Sequence, residues 1–429
     1  MNPRLVVVCG AFAFLAACSS PSNDAASGAV DTTRHDEPVI AAASAATDRP
    51  VSANPAAGEG VYIWQRMWLP ANVTALADSR GVFDELRVLA AQDQPGEGWI
   101  DARVDLPSLQ ADGRPVRPVI RLDGRLASLD AAMIAGKAQA IVSGWRAAGA
   151  SVDGVEIDFD CATSRLGDYA KLLTAIKSKL PKGTTLSITA LPAWIGAPAL
   201  AQVLAQADEA VLQVHAVTDP KHGLFDAKQA GDWIARFAAG TDKPFRVALP
   251  AYGSALVVDA NGRTIGVESE AGLPVAGARL ELFADPSAVA GLVKAIHGKP
   301  PANFRGFVWF RMPLAGDRRA WPLATVSAVI QGKPLRADFT PALGDSGNGA
   351  FDVSVKNTGN LEAPLPATVA IEGKGCGDAD ALPGYSVDRA GGKIRFVRQS
   401  HASLPATQAR PLGWVRCTTL TVADVHVHP

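Results

Sequence analysis

Hydrophobic residues follow two different spacings along the middle of the chain. From residue 60 to about residue 332, short apolar runs alternate with longer segments in which apolar side chains recur every three or four positions. The runs are typical of buried strands and the segments of amphipathic helices, so the alternation predicts a parallel β/α fold. The predicted strands are residues 61–65, 100–106, 116–122, 152–160, 185–190, 210–215, 246–251 and 304–310. The predicted helices are residues 81–91, 129–148, 166–180, 227–239, 287–297 and 321–331.

The number of strands decides between two β/α folds. Eight strands in about 270 residues match the size of a (β/α)₈ TIM barrel, whereas a doubly wound sheet usually has fewer. Neither a GxGxxG nor a Walker A motif is present to favour a nucleotide-binding sheet. We therefore predict a TIM barrel over residues 59–333. Within it, residues 254–283 are expected to form hairpin strands around an Asn261-Gly262 turn.

The spacing changes beyond Pro334. Residues 350–360, 367–372, 393–398 and 418–427 contain strand-like alternation, and no helical spacing appears around them. This pattern predicts a small β-sandwich-like accessory domain over residues 334–429. Two roles for it stay open, glycan binding and packing against the barrel.

A different composition precedes the barrel. Residues 5–15 are apolar, and the run ends in Leu15-Ala16-Ala17-Cys18, which resembles the lipobox of bacterial lipoproteins. We predict a signal peptide at residues 1–17, lipidation of Cys18 and a disordered, Ala- and Ser-rich tether at residues 18–58. The alternatives are a signal peptide that merely contains a cysteine and a short membrane anchor, for which the apolar run is too short. With Ser19 after the cysteine, the lipoprotein pattern implies an outer-membrane protein that faces the periplasm.

Charge and cysteine content narrow the choice of partners. Lys and Arg number 41 against 42 Asp and Glu, and they form no basic stripe, so no nucleic-acid partner is expected. No CxxC or HxxxH spacing indicates a metal site, and we expect no cofactor and a monomer. Because export favours disulfides, Cys376 and Cys417 of the β-rich region are the expected pair, with Cys161 free.

One predicted strand carries an unusual set of charges. Residues 152–160 alternate acidic and large apolar residues, so Glu156, Asp158 and Asp160 share one face of the strand. On a half-exposed strand this would be an ordinary polar face. Between two amphipathic helices the strand is expected to be buried, and carboxylates in a barrel interior need shared protons, basic partners or a chemical task. We favour a functional role.

The segment from Asp153 to Asp160 resembles the Asp-x-x-Asp-x-Asp-x-Glu signature of the chitinase-type, family-18 glycoside hydrolases. Glu156 stands where that family has Asp, and Asp160 stands where it has its catalytic Glu. Residues 186–193, 248–253 and 306–309 are similar to the family's fifth, seventh and eighth strands, and by that likeness Trp309 would lie beneath a bound sugar. On the sixth strand, Gln213 to Ala216 replaces Met-x-Tyr-Asp, which counts against chemistry assisted by an N-acetyl group.

A closer resemblance is to the bacterial lipoproteins grouped as domain of unknown function 3142. It rests on the ending Ile-Asp-Phe-Asp-Cys at residues 157–161 and the Leu-x-x-Tyr at residues 166–169. This resemblance implies a barrel in the cell envelope and no particular reaction.

The predicted strand ends gather aromatic, polar and charged residues. In a TIM barrel these ends surround the site, and aromatic rings with a few polar groups are typical of a carbohydrate site. The expected substrate-binding residues are Tyr62, Trp64, Arg66, Arg121, Gln213, His215, Tyr252, Trp309 and Arg311. Taken singly, each has an ordinary alternative, since the rings could be core residues, the arginines counterions and His215 a structural hydrogen-bonding group.

These features lead to three hypotheses. The first is a glycoside hydrolase-like envelope lipoprotein in which Asp160 is the general acid, Asp158 orients it or shares its proton, and Glu156 gives electrostatic support from deeper in the barrel. The second is a barrel that binds glycan without cutting it, because Asp160 is one methylene shorter than Glu. The third is a structural envelope lipoprotein without a ligand.

Overall fold

The computed structural model describes residues 58–215, 223–268, 276–389 and 392–428. The predicted signal peptide, Cys18 and all but the end of the predicted tether lie outside these residues. Within them, no helix is both long enough and apolar enough to cross a bilayer.

Eight parallel strands close into a barrel. They pair in the order β1-β12-β8-β7-β6-β5-β4-β2, and β1 pairs with β2 to complete the ring. The strands are β1 (Gly60–Ile63), β2 (Glu85–Gln94), β4 (Val116–Leu122), β5 (Gly154–Phe159), β6 (Thr185–Ala190), β7 (Glu209–Gln213), β8 (Phe245–Pro250) and β12 (Phe304–Phe310). β3 (Gly98–Asp101) pairs antiparallel with the end of β2. The predicted TIM barrel is therefore confirmed.

Helices cover the outside of this barrel. They are α1 (Pro70–Asp78), α2 (Leu106–Asp112), α3 (Ala131–Ala147), α4 (Leu166–Lys179), α5 (Leu200–Gln206), α6 (Ala227–Ala239), α7 (Pro286–Gly298) and α8 (Leu323–Ile330). Their apolar faces meet the outward-facing strand residues, such as Val155, Ile157 and Phe159 of β5, in one large core. Burial of this layer accounts for the strict alternation of β5, because only its other face can carry charge.

The predicted second strand was wrong. Residues 81–91 do not form a helix, and residues 100–106 do not form the barrel strand. Instead, β2 occupies residues 85–94, and residues 106–112 form the helix α2. Leu, Ala, Glu and Arg of β2 are good helix formers, which misled the prediction. The barrel overrides that propensity because Leu86 and Val88 pack outwards while Arg87 faces a cluster of inner carboxylates.

Residues inserted after β8 form a small sheet. It is made of β9 (Gly253–Val258), β10 (Thr264–Glu268) and β11 (Ala278–Phe283), in the order β10-β9-β11. Gly262, with a φ of 75°, occupies the turn between β9 and β10 as the Asn-Gly pair predicts.

The C-terminal region contains two four-stranded antiparallel sheets. One has the order β13-β14-β21-β17 and the other β18-β19-β16-β22, and a short pair joins β15 to β20. Buried side chains from both sheets form a single second core. The strands are β13 (Phe339–Gly347), β14 (Ala350–Asn357), β15 (Ala363–Pro364), β16 (Thr368–Ile371), β17 (Ala379–Ala381), β18 (Tyr385–Asp388), β19 (Ile394–Arg398), β20 (Ser403–Leu404), β21 (Ala409–Arg416) and β22 (Val425–His428).

A disulfide links two segments at the edge of this second core. Cys376 is bonded to Cys417, the pair expected from the sequence, and the bond spans 41 residues. Cys161 is a buried free thiol in the barrel.

Candidate active site

The acidic face of β5 points into the barrel and rises from its middle to its C-terminal mouth. Glu156 has no exposed surface, Asp158 is 6% exposed and Asp160 is half-buried just after the strand ends. Three carboxylates on one strand therefore stand in three different environments. Those environments determine which of them can perform chemistry.

Glu156 is held on every side by hydrogen-bond donors. Arg87 forms an ion pair with it, the Tyr62 hydroxyl donates to its carboxylate at 2.6 Å, and Thr189 and Ser187 donate at 3.1 Å and 3.3 Å. These four partners fix the position of the carboxylate. Glu156 is thus a structural centre of the barrel interior, and Tyr62, predicted to bind substrate, is engaged in holding it.

Below Glu156 the interior is an ionic network. Arg87 is fully buried and also pairs with Glu85 at 2.8 Å and Glu209 at 2.6 Å. Arg117 and Arg246 contact the same Glu209 carboxylate at 2.9 Å and 3.3 Å. Burial opposes ionisation of Glu209, but the three guanidinium groups outweigh it and lower its pKa to about 2. This network closes the N-terminal end of the barrel interior.

Asp158 and Asp160 share one cation, Arg121 of β4. Its Nε lies 3.7 Å from Asp158 Oδ2, and its Nη2 lies 3.6 Å from Asp160 Oδ2. Oδ1 of Asp158 is buried and has no hydrogen-bond partner. Burial, then the neighbouring charge of Asp160, raises the pKa of Asp158 well above its ordinary value. Burial also raises the pKa of Asp160, against the opposing effect of Arg121.

The loop after β4 packs directly on the backbone of Asp160. A Cβ atom on Gly124 would lie 1.9 Å from the Asp160 carbonyl oxygen, so only glycine fits there. Arg165 donates to the carbonyl oxygens of Gly124 at 3.1 Å and Leu126 at 2.6 Å, and its guanidinium lies over the Phe159 ring. These contacts fix the position of Asp160 at the mouth.

Aromatic rings occupy the side of the mouth formed by β1, β8 and β12. Phe310 is their centre, with its ring 5.3 Å from that of Trp64, 5.1 Å from Tyr252 and 5.6 Å from His215. Trp64 and Phe310 are both partly exposed. The mouth therefore combines an acidic wall with an aromatic one.

The expectation that Trp309 lines this mouth was wrong. Trp309 has no exposed surface, packs among the outer core residues and donates from Nε1 to Glu59 at 2.7 Å. Neighbouring residues of a strand point to opposite faces, so it is Phe310 that faces inwards. The contact between Phe310 and Tyr62 of β1, at 5.8 Å between ring centres, agrees with this orientation.

His215 sits beside the aromatic wall as a buried neutral imidazole. Burial lowers the pKa of its ring to about 3, and Nδ1 lies 3.4 Å from the Tyr252 hydroxyl. Burial raises the pKa of Tyr252 to about 12. Gln213 is partly exposed and donates to the His215 carbonyl oxygen at 2.9 Å. His215 is therefore a hydrogen-bonding group at neutral pH, unable to serve as a cation.

The two other predicted arginines have structural partners. Arg311 is 1% exposed, donates to Asp317 Oδ2 at 2.6 Å and lies over the Tyr252 ring. Arg66 is partly exposed, with 3.1 Å between its Nε and the amide oxygen of Gln92. Arg311 thus supports the aromatic wall from behind. Among the ion pairs of the described residues, Arg121 is the only arginine that reaches Asp158 and Asp160.

Two other features lie away from this mouth. A cavity of about 210 Å³ at the N-terminal end of the barrel is lined by Arg117, Thr185, Asp208, Glu209, Pro244, Arg246 and Arg305. It belongs to the ionic network, at the opposite end from the strand ends that form TIM-barrel sites. Among the described residues, no group of three or more His, Cys, Asp and Glu side chains converges to hold a metal ion.

Two family models match parts of this chain. Residues 112–315 match the family described as Domain of unknown function (DUF3142). The resemblance of this segment to the DUF3142 family is therefore confirmed. The DUF3142 segment contains Arg121, Asp158, Asp160 and His215, whereas β1 and β2 precede it. Residues 343–418, within the C-terminal β region, match a second family, Domain of unknown function (DUF8456). The chain has no match among curated proteins.

Similar solved structures include chitinases and a spore cortex-lytic enzyme. A chitinase from Chromobacterium violaceum is 13% identical, with a TM-score of 0.44 over 65% of this chain and 98% of that one. The Bacillus cereus spore cortex-lytic enzyme SleL is 12% identical, with a TM-score of 0.48 over 64% and 74%. A class V chitinase from Nicotiana tobaccum is 14% identical, with a TM-score of 0.41 over 64% and 98%. Values this low carry no argument about function.

Proposed function

We propose that this glycoside hydrolase-like barrel binds a glycan at its C-terminal mouth and cleaves it with the Asp158–Asp160 pair. The observation that carries the proposal is the buried Oδ1 of Asp158, which has no partner although Asp160 stands beside it at the mouth. An unsatisfied buried carboxyl oxygen is costly, and clusters of this kind are typical of functional sites. A ligand or a shared proton would satisfy it.

The chemistry assigned to the pair is general acid catalysis. Glycoside hydrolysis requires a carboxyl group that still holds a proton near neutral pH. Burial raises the pKa of both Asp158 and Asp160, and Asp160 is the more accessible of the two. In the proposed reaction Asp160 protonates the glycosidic oxygen, the bond from that oxygen to the anomeric carbon breaks, and water adds to the carbon and gives its proton back to the Asp160 carboxylate. Asp158 orients Asp160 and shares its proton.

The opposite wall supplies the means to hold a sugar. Trp64 and Phe310 are partly exposed, Tyr252 is buried beside Phe310, and aromatic rings pack well against the apolar faces of pyranose rings. His215 and Gln213 add hydrogen-bonding groups that do not change charge near neutral pH. This combination suits a neutral or weakly charged glycan.

A second function is favoured by one observation. Arg121 opposes protonation of Asp160, and an Asp side chain ends roughly 1.5 Å short of a Glu in the same place. A displacement of that size can lower a reaction rate about a hundredfold. The alternative is therefore a barrel that binds glycan without cutting it, and a structural role without any ligand is the third possibility.

The site of action that we propose is the cell envelope. Cys18 in its lipobox-like setting would anchor the chain to the outer membrane on the periplasmic side. Replacement of Cys18 with Ala should release the protein from the membrane fraction and abolish labelling by a fatty-acid probe. If the variant stays membrane-bound and labelled, the anchor lies elsewhere.

A screen of glycans tests the function itself. The protein is incubated with peptidoglycan fragments, chitooligosaccharides and exopolysaccharides, and new reducing ends and saturable binding are measured on the same samples. New reducing ends support the hydrolase, and binding without them supports the glycan-binding alternative. If no glycan is bound or cut, the proposal fails and the structural role remains.

A further inference from the structure

Arg121 is placed by the register between β4 and β5. It lies directly opposite Asp158 in the parallel ladder, and its side chain extends along the barrel wall to Asp160. Only 11% of its side chain is exposed. A guanidinium that is nearly buried between two carboxylates remains charged, so the pair always has one cation beside it.

The two carboxylates lie at nearly equal distances from this cation but differ in their other neighbours and in their exposure to water. Asp158 is the deeper group, with Glu156 below it and Asp160 above it, both of like charge. Asp160 has 23% of its side chain exposed, and the nearest acid on the β4 side, Asp123, is already paired with Arg125 at 3.0 Å. Water and Arg121 can therefore stabilise a charge on Asp160 better than one on Asp158.

The other groups around the pair do not reverse this preference for the negative charge on Asp160. The Thr189 hydroxyl of β6 favours the ionised form of Asp158, but it lowers the pKa of that carboxyl less than burial raises it. Arg87 is paired with Glu156, Glu85 and Glu209. Cys161 is buried and neutral, and burial raises the pKa of its thiol to about 12. Arg165 donates to the carbonyl oxygens of the neighbouring loop.

From this geometry we propose that Arg121 is a positioning residue that keeps Asp160 as the carboxylate and leaves the proton of the pair on Asp158. The location of the proton does not depend on the proposed function, but the part that Arg121 plays in catalysis rests on it. Before Asp160 can act as an acid, the proton must pass from Asp158 to Asp160, which leaves Asp158 as the carboxylate. Arg121 would then control the transfer of the proton to Asp160, which makes Asp160 able to act as the general acid.

Protonation of the pair can be measured without any glycan. The full chain, purified in detergent and labelled with ¹³C-aspartate, is titrated while infrared spectra record protonated carboxyl groups. Two interacting acids titrate in two steps that belong to the pair. Asp158→Asn and Asp160→Asn each leave one acid, and we expect the acid that remains in Asp160→Asn to lose its proton at the higher pH.

Arg121→Gln supplies the decisive comparison, and Arg121→Lys is the matched control that keeps the positive charge. Removing a charge this close should raise the lower step of the pair by about one to three pH units. Arg121→Lys should restore most of the native titration, which a merely structural role would not predict. If Arg121→Gln folds and leaves the lower step unchanged, the proposal is overturned.

Two further outcomes keep this test separate from the proposed function. If Arg121→Gln does not fold, the single-acid variants still decide, since a higher-titrating Asp160 contradicts the assignment. If no glycan is bound or cut but the titration behaves as expected, the proposed function fails and the role of Arg121 stands.

Discussion

Arg87 and Glu156 form an ion pair inside the barrel with no exposed side-chain surface on either residue. The pair joins two layers of the interior, because Arg87 also binds Glu85 and Glu209 below, while Glu156 accepts hydrogen bonds from Tyr62 and Thr189. Removing the charge of Glu156 would take away one of the three carboxylates that surround the buried Arg87 and leave its other donors without their acceptor. Glu156 therefore belongs to the framework of the barrel, although it lies on the same strand as the proposed catalytic acids.

Glu156→Gln should destabilise the protein strongly. The amide keeps the shape but removes one of the three carboxylate charges around Arg87, and since Glu85 and Glu209 stay in place we expect the lower end of the range for a broken buried pair, about 3 kcal/mol in free energy of unfolding. Urea denaturation measures the effect. The matched control is Glu281→Gln, which removes an exposed partner of Arg319 and should cost less than about 1 kcal/mol. Equal effects of the two substitutions would show that the interior pair is not structural.

Phe310 and Trp309 should separate binding from stability. Phe310→Ala removes the central ring of the aromatic wall, and we expect glycan affinity to fall at least about tenfold, since the contact contributes on the order of 1.4 kcal/mol. Trp309→Phe loses only the hydrogen bond to Glu59 and some outer packing, so it should lower stability and leave affinity unchanged. Titration calorimetry and urea denaturation of both variants check this. If Trp309→Phe weakens glycan binding and Phe310→Ala does not, Trp309 is the residue that contacts the glycan.

The pH dependence of stability should reveal the buried His215. Its folded pKa, about 3, lies below the unfolded value of 6.5, so the neutral form is favoured in the folded state. The stability that it contributes is present above pH 6.5 and is lost as the pH falls towards 3. Between pH 7 and pH 5 the loss is about 2 kcal/mol.

Urea denaturation of His215→Gln at these two pH values isolates the contribution. The variant should lose about 2 kcal/mol less than the native protein between pH 7 and pH 5. His401→Gln, at an exposed position, is the control and should follow the native protein. Identical pH dependence in all three proteins would mean that His215 is accessible to protons in the folded state.

Much of the fold follows from the spacing of residues, and the exceptions have physical reasons. The predicted strands at residues 116–122, 185–190 and 304–310 have the observed bounds because each is buried on both faces and rich in apolar or β-branched residues. β2 was missed because it is rich in residues that favour helices, although its polar and apolar residues alternate with a period of two. The signal was present, since Glu85 and Arg87 alternate with Leu86 and Val88 as the acids of β5 alternate with their apolar neighbours.

The candidate site was only partly predictable for a related reason. The period of β5 predicts that Glu156, Asp158 and Asp160 share a face, but it does not give their partners. That Arg121 reaches Asp158 and Asp160 while Arg87 reaches Glu156 depends on the register of neighbouring strands, which no local pattern encodes. Phe310 was missed because resemblance pointed to its neighbour Trp309, and a shift of one residue on a strand reverses the face.

Asp160 is the acid that we propose to meet the glycan, and a comparison of the native protein with Asp160→Asn and Asp160→Glu tests this role. Reducing ends released from a bound glycan are measured, with affinity recorded on the same samples. We expect Asp160→Asn to abolish turnover while affinity and the fold stay close to native, because the amide keeps the size of the side chain and removes the donated proton. Asp160→Glu extends the acid towards the ligand and should retain or increase turnover. If the native protein is active and Asp160→Asn leaves its turnover unchanged, Asp160 is not the general acid.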